Sequence, residues 1–173
     1  MSGLSIQNLN QMSDDAAAES LLGCCGARSW CRLMASRRPF AALAELHREA
    51  DLVFDLLTRE DWLEAFASHP KIGDLESLRM KFAGNREWSS SEQAGVSDAG
   101  DETLRRLADG NARYLAKFGF IFIICATGLS ASEMLAALES RLANSNDVEL
   151  KTASSAQRQI THLRLDKIMV ADP

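Results

Sequence analysis

One imidazole in this sequence is bracketed by residues that restrict the backbone on both sides: His69, within Ser68-His69-Pro70-Lys71-Ile72-Gly73-Asp74. Proline disfavours the α region for the residue before it, so His69 must end the preceding helix in an extended conformation, and Gly73 permits a sharp turn just after. A histidine presented in this way titrates near neutrality and suits general acid/base work. The same seven residues also read as a helix-terminating turn with no chemistry. The other two histidines, His47 and His162, lie inside helical patterns without a constrained backbone and read as surface or packing residues.

Trp88-Ser89-Ser90-Ser91-Glu92-Gln93 supplies the next candidates. Glu92 could orient the imidazole or a substrate donor; alternatively, Ser89 and Glu92 have capping-box spacing and begin a helix. A metal site of His69, Asp74 and Glu92 is conceivable, but the chain lacks the closely spaced His or Cys pair that zinc favours. It also has no Walker loop, dinucleotide fingerprint or Gly-x-Ser-x-Gly elbow. A cofactor-free acid/base site is the simplest enzyme hypothesis, with an arginine of the last helix, such as Arg164, forking onto a carboxylate. A non-catalytic alternative makes residues 118–124 a groove for a partner helix.

Whatever the chemistry, a scaffold must position it. The 173 residues fit a single domain, 1–173, large enough for a proper core. Aromatics at 6%, with 10 Gly and 3 Pro, disfavour a turn-rich β chain, while Leu, Ala, Glu and Arg favour helix. The net charge of −5 argues against nucleic acid as a partner, and the local pair Arg37-Arg38 does not change that. Cys24, Cys25, Cys31 and Cys125 form no metal or disulfide framework, which fits a reduced cytoplasmic setting. No basic residue precedes Arg28, and the longest apolar run, 118–126, is far short of the ~20 residues a membrane span needs.

Ser13 caps a helix over Ala16 to Leu22 that Gly23 ends, and Ser29 caps another that stops before Pro39. An apolar stripe runs from Ala41 to Leu57, and Thr58 to Asp61 starts the helix that leads to His69. Between Gly73 and Gly100 the periodicity disappears. From about Asp101 a long helix presents Leu104, Leu107, Ala108, Asn111, Leu115 and Phe118 on one face. Phe120, Ile121, Phe122, Ile123 and Ile124 are apolar all round, either buried helix or extended backbone lining a pocket. Ser130 and Glu133 cap the next helix, and Asn146 to Glu149 the last, whose predicted buried side is Ala153, Ala156, Ile160, Leu163 and Met169. The whole reads as an all-α bundle.

Taken in order, several blocks carry a resemblance: Ser68 to Asp74, Trp88-Ser89 through Glu92-Gln93-x-Gly95, Asn111-x-x-Tyr114-x-x-Lys117-Phe118-Gly119-Phe120, Arg141-Leu142-x-Asn144 and Ile160-x-x-Leu163-Arg164-Leu165. Together they resemble the 2-oxo-4-hydroxy-4-carboxy-5-ureidoimidazoline (OHCU) decarboxylase family, over nearly the whole chain from about Ile6. The resemblance implies an all-helical fold, commonly a homodimer, acting in the last step of urate breakdown to (S)-allantoin without a metal or organic cofactor. It places the catalytic histidine on His69, the substrate-lining proline on Pro70, and the Ser-x-x-Glu-Gln motif on Ser89, Glu92 and Gln93. The backbone that cradles the ring falls on Phe120, Ile121, Phe122, Ile123 and Ile124, with isoleucine at 121 where the family often has proline. For the family's late arginine, Arg141, Arg158 and Arg164 are all candidates, and Arg164 has the better-matched context.

Overall fold

The computed structural model describes residues 4–70, 76, 78–80 and 93–169, with 93–99 entering as backbone. Among them run helices α1 (Ile6–Gln11), α2 (Asp14–Cys25), α3 (Arg28–Ser36), α4 (Leu43–Phe54), α5 (Arg59–Ala67), α6 (Gln93–Phe118), α7 (Ala131–Arg141) and α8 (Asn146–Ile168). No strand forms among the described residues; Leu4 and Met169 make an isolated bridge. The chain is all-α, as its pattern predicts. It divides into two compact units, Met1–His69 with Ser154–Pro173, and Pro70–Ala153, the boundary falling inside α8. No helix of the described residues is long and apolar enough to cross a membrane.

In the first unit Ser13 caps α2 as expected, its Oγ accepting from the Ala16 N–H at 3.3 Å. The helix does not stop at Gly23 but at Gly26, which has φ +86°. Carrying the helix through Gly23 costs about 1 kcal/mol of backbone entropy, but it buries Cys24 and Cys25 completely, and burial of two apolar thiols outweighs that. Ser29 is not the cap of α3 either. That position falls to Ala27, which has no side-chain oxygen, so the Arg28 N–H donates instead to Glu64 Oε2 from α5 at 3.1 Å. Thr58 and Asp61 form the expected capping box of α5.

Aromatic stacking fills this unit's core: Trp30 on Phe54 with centroids 5.4 Å apart, and Phe54 on Trp62 at 5.5 Å. The basic pair at 37–38 is used within the unit. Arg38 donates to the Leu9 and Met12 carbonyls at 2.7 and 2.6 Å, satisfying acceptors that the end of α1 leaves open, and Arg37 pairs with Glu49 at 2.7 Å.

The second unit holds α6, which begins at Gln93, well before the expected Asp101. Its buried side chains from 100 onward include Leu104, Leu107, Tyr114 and Phe118, whereas Leu115 is 40% exposed. The predicted stripe holds at Leu104, Leu107 and Phe118 and breaks at 114–115, where the Tyr114 ring turns inward and its hydroxyl finds a carboxylate. Gly110 lies where a Cβ would stand 2.6 Å from Leu138 Cδ2, so its lack of a side chain lets α6 and α7 approach closely. Residues 121–126 are irregular, so the expected buried helix does not form there, with Phe120 and Ile123 buried and Ile121, Phe122 and Ile124 half-buried.

Along α8 the buried positions are Glu149, Ala153, Gln157, Thr161 and Leu165, four apart; of the predicted apolar set Ala153 and Met169, just past the helix, are buried, Ala156 and Ile160 are half-buried and Leu163 is 39% exposed. Three of the five are polar, which is why hydrophobic periodicity misses them.

Candidate active site

His69 follows directly on α5, its N–H returning to the Phe66 carbonyl at 3.2 Å and closing the helix where Pro70 forbids continuation. Ser68 finishes the cap with its hydroxyl on the Ala65 carbonyl at 2.6 Å. Against it lies Gly26: a Cβ there would be 2.1 Å from Ser68 Oγ, so the end of α2 can reach the histidine turn only because residue 26 is glycine. Helix α2 therefore ends beside His69 with its last carbonyls exposed to whatever donors α8 supplies.

Those donors are specific. Arg164 Nη1 donates to the carbonyls of Gly23 and Cys24 at 3.3 and 3.2 Å, an arrangement that the negative end of the helix dipole favours. Gln157 Nε2 donates to the Cys25 carbonyl at 3.3 Å and to Thr161 Oγ1 at 3.2 Å, and its Oε1 meets His69 Nε2 at 2.7 Å. The Thr161 hydroxyl reaches the carbonyls of Gln157 and Cys24 at 2.9 and 3.3 Å. His69 is half-buried. Desolvation is the largest influence on it and pushes its pKa below the usual imidazole value; the Gln157 contact opposes this and the Arg164 charge adds to it. The result is an imidazole kept neutral, able to take up a proton.

The three thiols near the end of α2 do not share that readiness. Burial pushes Cys24 and Cys25 up to about 11 and Cys31 to about 12, so they pack as apolar groups.

In the second unit a different cluster holds the 120–124 segment. Glu149, expected as a cap residue of α8, is instead fully buried. It accepts from Arg141 Nε at 2.8 Å and Nη2 at 2.5 Å, from the Tyr114 hydroxyl, and from Asn144 Nδ2 at 2.7 Å. Burial and this carboxylate push the Tyr114 hydroxyl far up, so it stays a donor. Arg141 Nη1 then donates to the Ile123 carbonyl at 2.8 Å, and its guanidinium lies over the Phe122 ring at 4.6 Å. Arg141 thus shapes the irregular segment from within. Arg158 is engaged elsewhere, with Asp55 at 2.6 Å and over the Phe54 ring at 5.2 Å.

Of the residues singled out from sequence, His69 and Arg164 come together at the end of α2, and Pro70 follows His69 as an exposed residue. Phe120, Ile121, Phe122, Ile123 and Ile124 form the irregular segment of the second unit. Gln93 is the first residue of α6, while Ser89, Glu92 and Asp74 lie outside the described residues. Among the described residues no three His, Cys, Asp or Glu side chains cluster as a metal site would require. Sequence reasoning missed Gln157. The available signal was the polar pair Gln157 and Thr161 in register with Ala153 and Leu165, since a buried amide needs partners.

The chain is thus of the all-helical class, with a desolvated histidine presented at a His-Pro helix end and an arginine near it. Residues 10–166 match the model of the OHCU decarboxylase family, and the chain belongs to that family. It is 37% identical over 145 residues to the uric acid degradation bifunctional protein TTL of Arabidopsis thaliana, a match covering 84% of this chain and 45% of that protein. It is 30% identical to a 2-oxo-4-hydroxy-4-carboxy-5-ureidoimidazoline decarboxylase of Haloferax volcanii, over 95% of this chain and 96% of the relative. Among solved structures, OHCU decarboxylase in the presence of (S)-allantoin aligns with a TM-score of 0.68 at 34% identity, over 90% of this chain and 97% of that one. An (S)-allantoin synthase structure shares the fold with a TM-score of 0.69 at 17% identity, over 96% of this chain and 54% of that one.

Proposed function

We propose that this chain is a carboxy-lyase that converts OHCU to (S)-allantoin in urate degradation, with His69 as its acid/base group. The observation that carries the reading is a histidine kept neutral at the His-Pro turn of a chain matched to the family over residues 10–166. In this substrate the departing carboxylate sits on a carbon next to a ring C=N bond. The C–C bond breaks, its electron pair passes into the imine as an enamine, and one proton is then delivered to one face. Because the molecule carries its own electron sink, the protein needs no cofactor, only orientation, charge stabilisation and a proton path.

His69 handles the substrate hydroxyl and the proton, and Glu92 orients the imidazole or a substrate donor. Ser89 and Gln93 bind ureido or ring nitrogens, Pro70 lines the ring, and backbone at 120–124 fixes the ring carbonyls. Arg164 takes the carboxylate: a planar guanidinium can hold carbonyls on one edge and fork onto an anion with another. A homodimer in a reduced cytoplasm belongs to the same reading.

The test generates the unstable intermediate in situ from urate with an oxidase and a hydrolase and follows its absorbance with and without this chain. Accelerated loss supports the reading; loss at the spontaneous rate, with the chain folded, rejects it.

A further inference from the structure

An imidazole has two nitrogens, and a general base can use only the one without a hydrogen. Which nitrogen that is depends on what the other is bonded to, and around His69 the bonding partners run back to groups that cannot reverse their roles. The chain of contacts ends on backbone carbonyls, which only accept. The Cys25 carbonyl takes a hydrogen from the Gln157 amide at 3.3 Å, so the atom facing it is the NH2 group and the Gln157 oxygen faces His69. The Thr161 hydroxyl has one hydrogen and gives it to the Gln157 or Cys24 carbonyl, at 2.9 and 3.3 Å. Its oxygen therefore accepts the second amide hydrogen of Gln157 at 3.2 Å. Turning the amide over would set its oxygen against the Cys25 carbonyl oxygen in a site where Gln157 and Thr161 are fully buried, leaving two acceptors facing each other.

We infer that Gln157 fixes His69 in the Nε2–H tautomer, so that Nδ1 is the atom that exchanges a proton with substrate. The inference rests on the decarboxylase reading of His69 and deepens it. Gln157 is a positioning residue, acting through His69, and Thr161 holds Gln157 in turn. One consequence concerns Glu92. With Nε2 taken by Gln157, the tautomer does not need the Glu92 carboxylate to set it.

The experiment reads the tautomer directly. Long-range 1H–15N correlation on 15N-labelled protein, without substrate and above the pH at which His69 titrates, shows which ring nitrogen bears hydrogen. The expected result is a proton on Nε2 in the wild type and in Glu92→Gln. Gln157→Met, which fills the space but accepts nothing, loses that preference, with kcat down about tenfold or more and KM changed by less than about twofold. Gln157→Glu restores an acceptor; it keeps the Nε2–H form and moves the acid limb of the pH profile upward, a shift that a merely structural role would not produce. A proton on Nδ1 in the wild type overturns the inference, and so does wild-type tautomer, kcat and pH profile in Gln157→Met. Because the tautomer is read without substrate, its failure is distinct from failure of the chain to decarboxylate.

Discussion

His69 is kept neutral mainly because its surroundings are poor solvent for an imidazolium, an effect that the Gln157 bond only partly offsets and to which Arg164 adds a smaller repulsion. The sign of the pH dependence follows. If the base form of free enzyme is required, kcat/KM rises with pH through a midpoint below the usual imidazole value and is flat above it; a pH series of initial rates measures this. Removing the neighbouring cation in Arg164→Gln moves that midpoint upward. For folding, the group's contribution is full above the unfolded imidazole's range and is lost as pH falls through the depressed folded value, since the unfolded chain takes up the proton first. The other residue on which this corner depends is Gly26. Gly26→Ala puts a Cβ into Ser68 Oγ at a backbone angle of φ +86°, and should cost about 1–3 kcal/mol in denaturant unfolding. The same change should lower kcat, because the turn that yields is the one presenting His69.

Two helix ends carry the element-scale account. The last carbonyls of α2 are taken by Gln157, Thr161 and Arg164 of α8, and α8 begins on the buried carboxylate of Glu149. Glu149→Ala would leave the Arg141 guanidinium, itself only 12% exposed, without its carboxylate, and should destabilise the chain by about 3–5 kcal/mol in equilibrium denaturation; Glu149→Gln should cost less. Much of this scale was legible beforehand where local chemistry decides it. The capping boxes at Thr58 and Ser130, the Ser13 cap and the stop at His69-Pro70 all follow from neighbours within a few residues. What was not legible depends on partners distant in sequence. Gly26 rather than Gly23 ends α2, Tyr114 rather than Leu115 turns inward, and Glu149 is buried rather than capping, each because a group far along the chain meets it. The candidate site followed the same rule: the histidine turn was marked by Pro70, whereas Gln157 showed only as a polar residue in register with Ala153 and Leu165, its partners lying far off in sequence.

At the scale of the whole molecule two expectations do not depend on any one side chain, the first because the proposed chemistry asks only for an oriented ring and a proton path. Exhaustive chelation followed by dialysis should leave turnover unchanged, as the substrate's own imine accepts the electron pair. Sedimentation equilibrium should give twice the chain mass, the homodimer that the family resemblance implies. The central claim, that His69 converts a spontaneous decay into a one-handed reaction, is tested most directly by circular dichroism of the product. With the intermediate generated in situ, the wild type should yield (S)-allantoin of a single hand faster than the racemic decay. His69→Asn, shown to be folded by its far-ultraviolet spectrum, should lose at least about 10²-fold in that rate and leave an optically silent product. Single-handed product from His69→Asn at the wild-type rate would contradict the account.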